Sequence, residues 1–156
     1  MNTTKKQLVI EEIVTQIQQQ MEPDYEKATA FFRFEDLRIY NKSMEYIDWV
    51  YSRVNTFPTN SSQNLGSRFQ NSSEAIAMNI SEGSARNKSQ FIYYLKMAKS
   101  SVRECVVYTT LSYKQGLIND IDVNESRNYL MEMTKMIGAL IGSLQRSAGI
   151  SGEEMD

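Results

Sequence analysis

Apolar residues recur along this chain with the period of an α-helix, and polar punctuation cuts the pattern into five segments. In residues 5–21, Ile10, Ile13, Val14, Ile17 and Met21 share a narrow arc at about 100° per residue, with Leu8 and Val9 near its start. Pro23 closes that segment, because a proline ring cannot continue the hydrogen-bond ladder. A short aromatic stretch, 25–34, leads into residues 36–57. There Leu37, Tyr40, Met44, Ile47, Val50, Tyr51 and Val54 follow the i, i+3, i+4, i+7 spacing. Pro58 ends this helix, and TNSSQN after it reads as loop.

The third segment, about residues 65–82, sets Phe69, Ile76 and Ile80 among Ser72, Ser73, Ala75 and Ala77, side chains small enough to let another helix approach closely. Gly83 is the expected left-handed cap at its C-terminus. The fourth, about 88–114, is expected to bury Phe91, Leu95, Ala98, Val102, Cys105, Val106 and Thr109, with Gly116 marking its end. For the fifth, Asp122 is the expected N-cap and Glu125 its capping-box partner. Its stripe is Leu130, Met133, Ile137, Leu140, Ile141 and Leu144. Glycine inside a helix costs about 1 kcal/mol, so Gly138 and Gly142 predict a close helix contact that offsets the loss.

No segment reads as a strand. The expected fold is therefore all-α: an antiparallel up-down four-helix bundle over 34–147, an amphipathic helical extension over 1–33 and a flexible tail over 148–156. Tyr40, Tyr46, Trp49 and Ile39 widen the apolar face of the second helix beyond one stripe, which predicts contacts between copies with closed symmetry.

Composition restricts the chemistry. The 156 residues contain no histidine, which removes the commonest general base and the usual ligand of zinc sites. Neither a GxxxxGK[ST] nor a GxGxxG motif occurs, so no catalytic residue, metal or cofactor is assigned and the chain is not expected to be an enzyme. Cys105 is the single cysteine, expected to be a small buried apolar residue, and the nine methionines are expected to fill the core and interfaces. MNTTKKQLVIEE lacks the apolar stretch of a signal peptide, and no run reaches the ~20 residues of a membrane span, so the expected location is the cytoplasm.

Charge is unevenly spread. Residues 33–147 hold 14 Lys and Arg against 11 Asp and Glu, whereas the flanks hold 3 against 8. Within 86–103 lie Arg86, Lys88, Lys96, Lys99 and Arg103 and no acid, with Tyr93 nearby. Such a stripe is either a solvated face or a site that displaces counterions from a phosphate backbone. Tyr93 and Tyr94 fit packing or subunit contact better than base stacking. The corner NISEGSAR reads as structural: Asn79 and Glu82 end one helix, Gly83 turns the chain, Ser84 supplies local hydrogen bonds and Glu82 pairs with Arg86. On that reading Glu82→Gln disturbs assembly or melting.

FEDLRIY at 34–40, the Phe57-Pro58 helix end, NISEGSAR at 79–86, Phe91, Leu95, and Ser100-Ser101 with Glu104 resemble the four-helix-bundle family of 23S rRNA intervening-sequence proteins and the accessory variability determinant of diversity-generating retroelements. The resemblance covers roughly residues 34–147. It implies an antiparallel bundle assembled into a ring of five protomers; the retroelement member of the family, not itself an enzyme, binds nucleic acid and a reverse transcriptase, which makes RNA or DNA and a reverse transcriptase the expected partners, while most other members have no settled role. SRFQNSS stands where that family often carries paired arginines, leaving Arg68 alone. The alternative is a protein-interaction scaffold without nucleic-acid binding, in which residues 5–21 dock on a neighbouring subunit or capture a partner helix.

Overall fold

The computed structural model of the chain describes residues 2–21, 30–58 and 64–149. Pro23, residues 25–29 of the aromatic stretch, most of the TNSSQN loop and residues 150–156 of the tail lie outside them. The chain divides into two compact units, Met1–Arg33 and Phe34–Asp156. The first contains α1 (Asn2–Met21), an uninterrupted helix that begins one turn before its apolar pattern. Its large apolar side chains, Leu8 through Ile17, are 46–61% exposed.

A 3-10 turn, Arg33–Asp36, precedes the helices of the second unit: α2 (Arg38–Val54), α3 (Leu65–Ser84), α4 (Lys88–Lys114) and α5 (Asp120–Ala148). Among the described residues there is no strand. Cross-helix contacts fix the directions. Lys42 meets Glu132 while Arg53 meets Asp122, so α2 and α5 run antiparallel. Ser72 bonds Glu104, and Gly83 abuts Phe91 and Tyr94, so α3 and α4 do too. Thr109 bonds Ser126 while Lys88 reaches the Ser147 carbonyl, giving the same sense to α4 and α5.

One core fills the second unit, built on Ile76 and Ile80 of α3, Leu95 and Val102 of α4, and Leu130, Met133 and Ile137 of α5. A fully buried leucine or isoleucine contributes roughly 1.5–3 kcal/mol, so these side chains hold the helices together. Phe91, Val106, Leu140, Ile141 and Leu144 pack against the core half-buried. Ile92, Ser101 and Ser112 are buried on α4 as well, beyond the expected stripe.

On α2 the expected register is corrected. The residues facing the core are Ile39, Ser43, Tyr46, Ile47, Trp49 and Val50, whereas Met44 and Tyr51 are exposed. Tyr46, Trp49 and Ile39 are therefore core residues, not surplus surface. Both stripes are apolar and lie about a quarter turn apart, and the polar atoms decide between them. Buried tyrosine and tryptophan need hydrogen-bond partners, and both have them: the Tyr46 hydroxyl meets Ser126 Oγ at 2.8 Å, and the Trp49 indole N–H donates to Glu125 Oε2 at 2.8 Å. The helix is also shorter than expected, because Asp36 belongs to the 3-10 turn and residues beyond Val54 form a capped end.

Three further expectations change. Gly83 is not a left-handed cap: it lies within α3, whose cap is the right-handed Ala85. A Cβ at Gly83 would stand 2.6 Å from Tyr94 Cβ and 2.9 Å from Phe91 Cδ2, so glycine is required by the close approach of α4. The N-cap of α5 is Asn119, with Asp122 as its reciprocal partner: Asn119 Oδ1 accepts from the Asp122 N–H at 2.9 Å and Asp122 Oδ2 from the Asn119 N–H at 3.1 Å. The helix starts a turn early because Gly116, at φ +72°, closes α4 and lets Ile118 reach the interior. Gly138 and Gly142 make no close helix contact: nothing lies within 4 Å of a Cβ at Gly138, and only the Arg146 guanidinium does at Gly142. Among the described methionines only Met133 is fully buried; Met44, Met78, Met97 and Met131 are exposed.

Candidate nucleic-acid interface

Asn87 starts α4, its side chain accepting from the Gln90 N–H at 2.9 Å. The core claims Leu95, Ala98, Val102, Cys105 and Thr109, which turns Lys96, Lys99 and Arg103 away from the interior. Lys96 and Lys99 are half-buried along their stems and Arg103 is exposed. Aliphatic stems lying on apolar surface with the charge in water are the usual posture of such residues. None of the three is in an ion pair among the described residues. Seven residues of helix separate Lys96 from Arg103, a span of about 10 Å.

The other expected site residues are occupied differently. Arg86 hydrogen-bonds Glu82 Oε1 through Nε at 3.2 Å and through Nη2, and its guanidinium lies 5.5 Å from the centre of the Tyr94 ring. The hydrogen bond to Glu82 raises the Arg86 pKa. Both members of this pair are open to water, the side chains 53% and 42% exposed for Glu82 and Arg86. Lys88 Nζ donates to the Ser147 carbonyl of α5 at 3.5 Å. Asn79 donates to the Ala75 carbonyl at 2.8 Å and Ser84 to the Ser81 carbonyl at 2.7 Å, both inside α3. Tyr93 is 59% exposed and meets Tyr94 edge to face at 5.4 Å. The structure thus brings Tyr93, Lys96, Lys99 and Arg103 onto the outer side of one helix, and sets Arg86 and Lys88 at the corner against partners of their own.

Three carboxylates of α5 are engaged by side chains of α2. Glu132 accepts from Lys42 at 2.7 Å, raising the lysine pKa; Glu125 accepts from Trp49; Arg53 Nε lies 3.3 Å from Asp122 Oδ1 as an ion pair without a directed hydrogen bond. No three metal-ligating side chains converge among the described residues. These α2–α5 pairs join residues about 70 to 90 positions apart, so no local motif marks them.

Inside the body runs a line of hydroxyls that pattern reading did not single out. Thr109 Oγ1 donates to the Cys105 carbonyl at 2.7 Å, so its contact with Ser126 Oγ, also 2.7 Å, must be donated by Ser126. That leaves Tyr46 as the donor in its 2.8 Å bond to Ser126. Burial pushes the Tyr46 hydroxyl well above the usual phenol range and the Cys105 thiol up to about 12, with the nearby Glu104 charge adding to the latter. Cys105 is thus an unreactive buried thiol.

No described helix is long and apolar enough to cross a membrane. Residues 35–139 match the sequence profile of a family described as 23S rRNA-intervening sequence protein. No curated protein matches the chain.

Proposed function

Because the chain belongs to the 23S rRNA-intervening sequence protein family, we propose that it is a non-enzymatic, self-assembling helical protein that holds a nucleic-acid backbone along the outer side of α4. The observation that carries the reading is the set Lys96, Lys99 and Arg103: three cations within about 10 Å on one side of a helix, none spent on a carboxylate among the described residues. Each phosphate neutralised releases counterions, so three contacts per protomer give a salt slope of about −2.7 on duplex DNA, steeper when copies act together.

Self-assembly is supported by apolar side chains left open on two separate sides of the body. Met44, Tyr51 and Met78 lie over α2 and α3, and Tyr93, Met97, Val107 and Leu111 lie along α4. A contact between unlike surfaces of two copies is head to tail, and it closes into a ring when its rotation does. A pentamer is the expected ring, and a reverse transcriptase is the protein partner suggested by the sequence resemblance.

Anisotropy of a labelled RNA at about 50 mM salt tests the reading. Binding that weakens steeply with salt and disappears in the Lys96→Glu, Lys99→Glu, Arg103→Glu variant supports it. No binding by the unaltered protein at low salt defeats it. The exposed apolar face of α1 favours the scaffold reading as the second choice, which loses its support if removing residues 1–22 changes neither oligomer mass nor partner recovery.

A further inference from the structure

A groove runs along the outside of the second unit between α2 and α3, with a cavity volume of about 470 Å³. Its floor and walls include Tyr40, Met44, Ile47, Tyr51, Ala77 and Met78. Met78 is 67% exposed, and Met44 and Tyr51 are open as well. Toward the end where α2 finishes, the lining turns acidic with Asp48 and Glu74, the latter accepting a hydrogen bond from Tyr51. An apolar surface of this kind on a helical body marks a docking site.

α1 carries the complement. Ile10, Ile13, Val14, Ile17 and Met21 form its apolar arc, and Lys6 falls within the same arc one turn before Ile10, flanked by Lys5. Glu11 and Glu12 sit on the other side of the helix. From Ile10 to Met21 the stripe is about 16 Å long, the same as Tyr40 to Tyr51 along α2. Only one direction satisfies both apolar and charged ends: α1 antiparallel to α2, with its lysines at Asp48 and Glu74.

We propose that α1 of one protomer occupies the α2–α3 groove of a second copy, an exchanged arm that supplies the head-to-tail contact between subunits. The inference rests on the self-assembly proposed above and names the surfaces that perform it. Every copy offers one arm and one groove, so a closed ring leaves neither unfilled. Most of the stability of a protein helix comes from packing its apolar side, which the groove of another chain would supply for α1.

Disulfide trapping between two variants of the full-length chain tests this, because Ile13 and Met44 would face each other. Ile13→Cys and Met44→Cys proteins co-expressed and oxidised should give a two-chain species on a non-reducing gel that neither variant gives alone; Cys105 is buried and stays out of the reaction. Lys5→Glu with Lys6→Glu should lower its yield severalfold, and Asp48→Lys with Glu74→Lys in the same pair should restore it. A linked dimer from Ile13→Cys alone, a link confined to one chain in the double variant, or no link would overturn the exchanged arm. Light scattering separates the two readings. An oligomer without the link overturns the arm and leaves self-assembly standing; a monomer at every concentration overturns both.

Discussion

The buried hydroxyl line of Tyr46, Ser126 and Thr109 and the Glu82–Arg86 pair at the α3–α4 corner are both polar contacts, but they sit in opposite surroundings. The first ties α2, α4 and α5 together with three neutral groups and no access to water. The second joins two full charges that water surrounds. An unpaired polar group in a core bears the whole desolvation penalty, about 1–3 kcal/mol, whereas an exposed pair is screened and exchangeable with solvent. The corner looks like chemistry in the sequence because it gathers charge. The hydroxyl line looks like nothing, although the packing of three helices depends on it.

The contrast can be tested by substitution. The largest effect is expected at the corner but not from its charges: Gly83→Val should destabilise the protein by about 3 kcal/mol, the upper end for overpacking, since even a Cβ would meet Tyr94 and Phe91. Urea unfolding measures it, and a loss below that of Ser126→Ala would show that α4 can shift. Ser126→Ala should come next at about 2 kcal/mol, because it leaves both the Tyr46 and Thr109 hydroxyls short of a partner.

Alkaline titration isolates the same buried region. The folded Cys105 pKa is raised, so its contribution to stability is complete below the ordinary thiol value of 9.0 and is lost as pH rises toward about 12. One such group removes up to about 1.4 kcal/mol per pH unit in that window. Cys105→Ala should flatten the decline between about pH 9 and 10, and an unchanged slope would assign the decline to other groups. The smallest effect is expected for Glu82→Gln. With the pair in water, the melting temperature should stay where it is, contrary to what the motif alone predicts; a clear drop would make the ion pair structural.

How far the sequence led depended on how local the cause was. The approximate bounds of α4 were legible from Gly116, which closes its end, while the cap at its start, Asn87, was not singled out although its signal is just as local. For α5 the signal was equally local but doubled: Asn119-x-x-Asp122 and Asp122-x-x-Glu125 each spell a capping box, and the burial of Ile118 selects the earlier one. For α2 two apolar stripes competed. The winner was set by Ser126 and Glu125, some 80 residues away, which no periodicity contains. Lys96, Lys99 and Arg103 were legible as one side of a helix because the core stripe of α4 fixes where they point. That Arg86 is held by Glu82 and Tyr94 while those three are in no ion pair among the described residues required coordinates, because pairing depends on rotamers and neighbours rather than on spacing.

Trp49 has a use of its own. It is the chain's single tryptophan, lying parallel to the Tyr46 ring at 5.8 Å, with its indole N–H on Glu125 and the Arg53 guanidinium 5.7 Å above it. Its emission therefore comes from one known seam, between α2 and the start of α5, and the charges around it make the colour sensitive to any loosening there. A polyanion bound along α4 leaves that fluorophore's surroundings untouched, so a spectral shift on adding one reports repacking of the whole body.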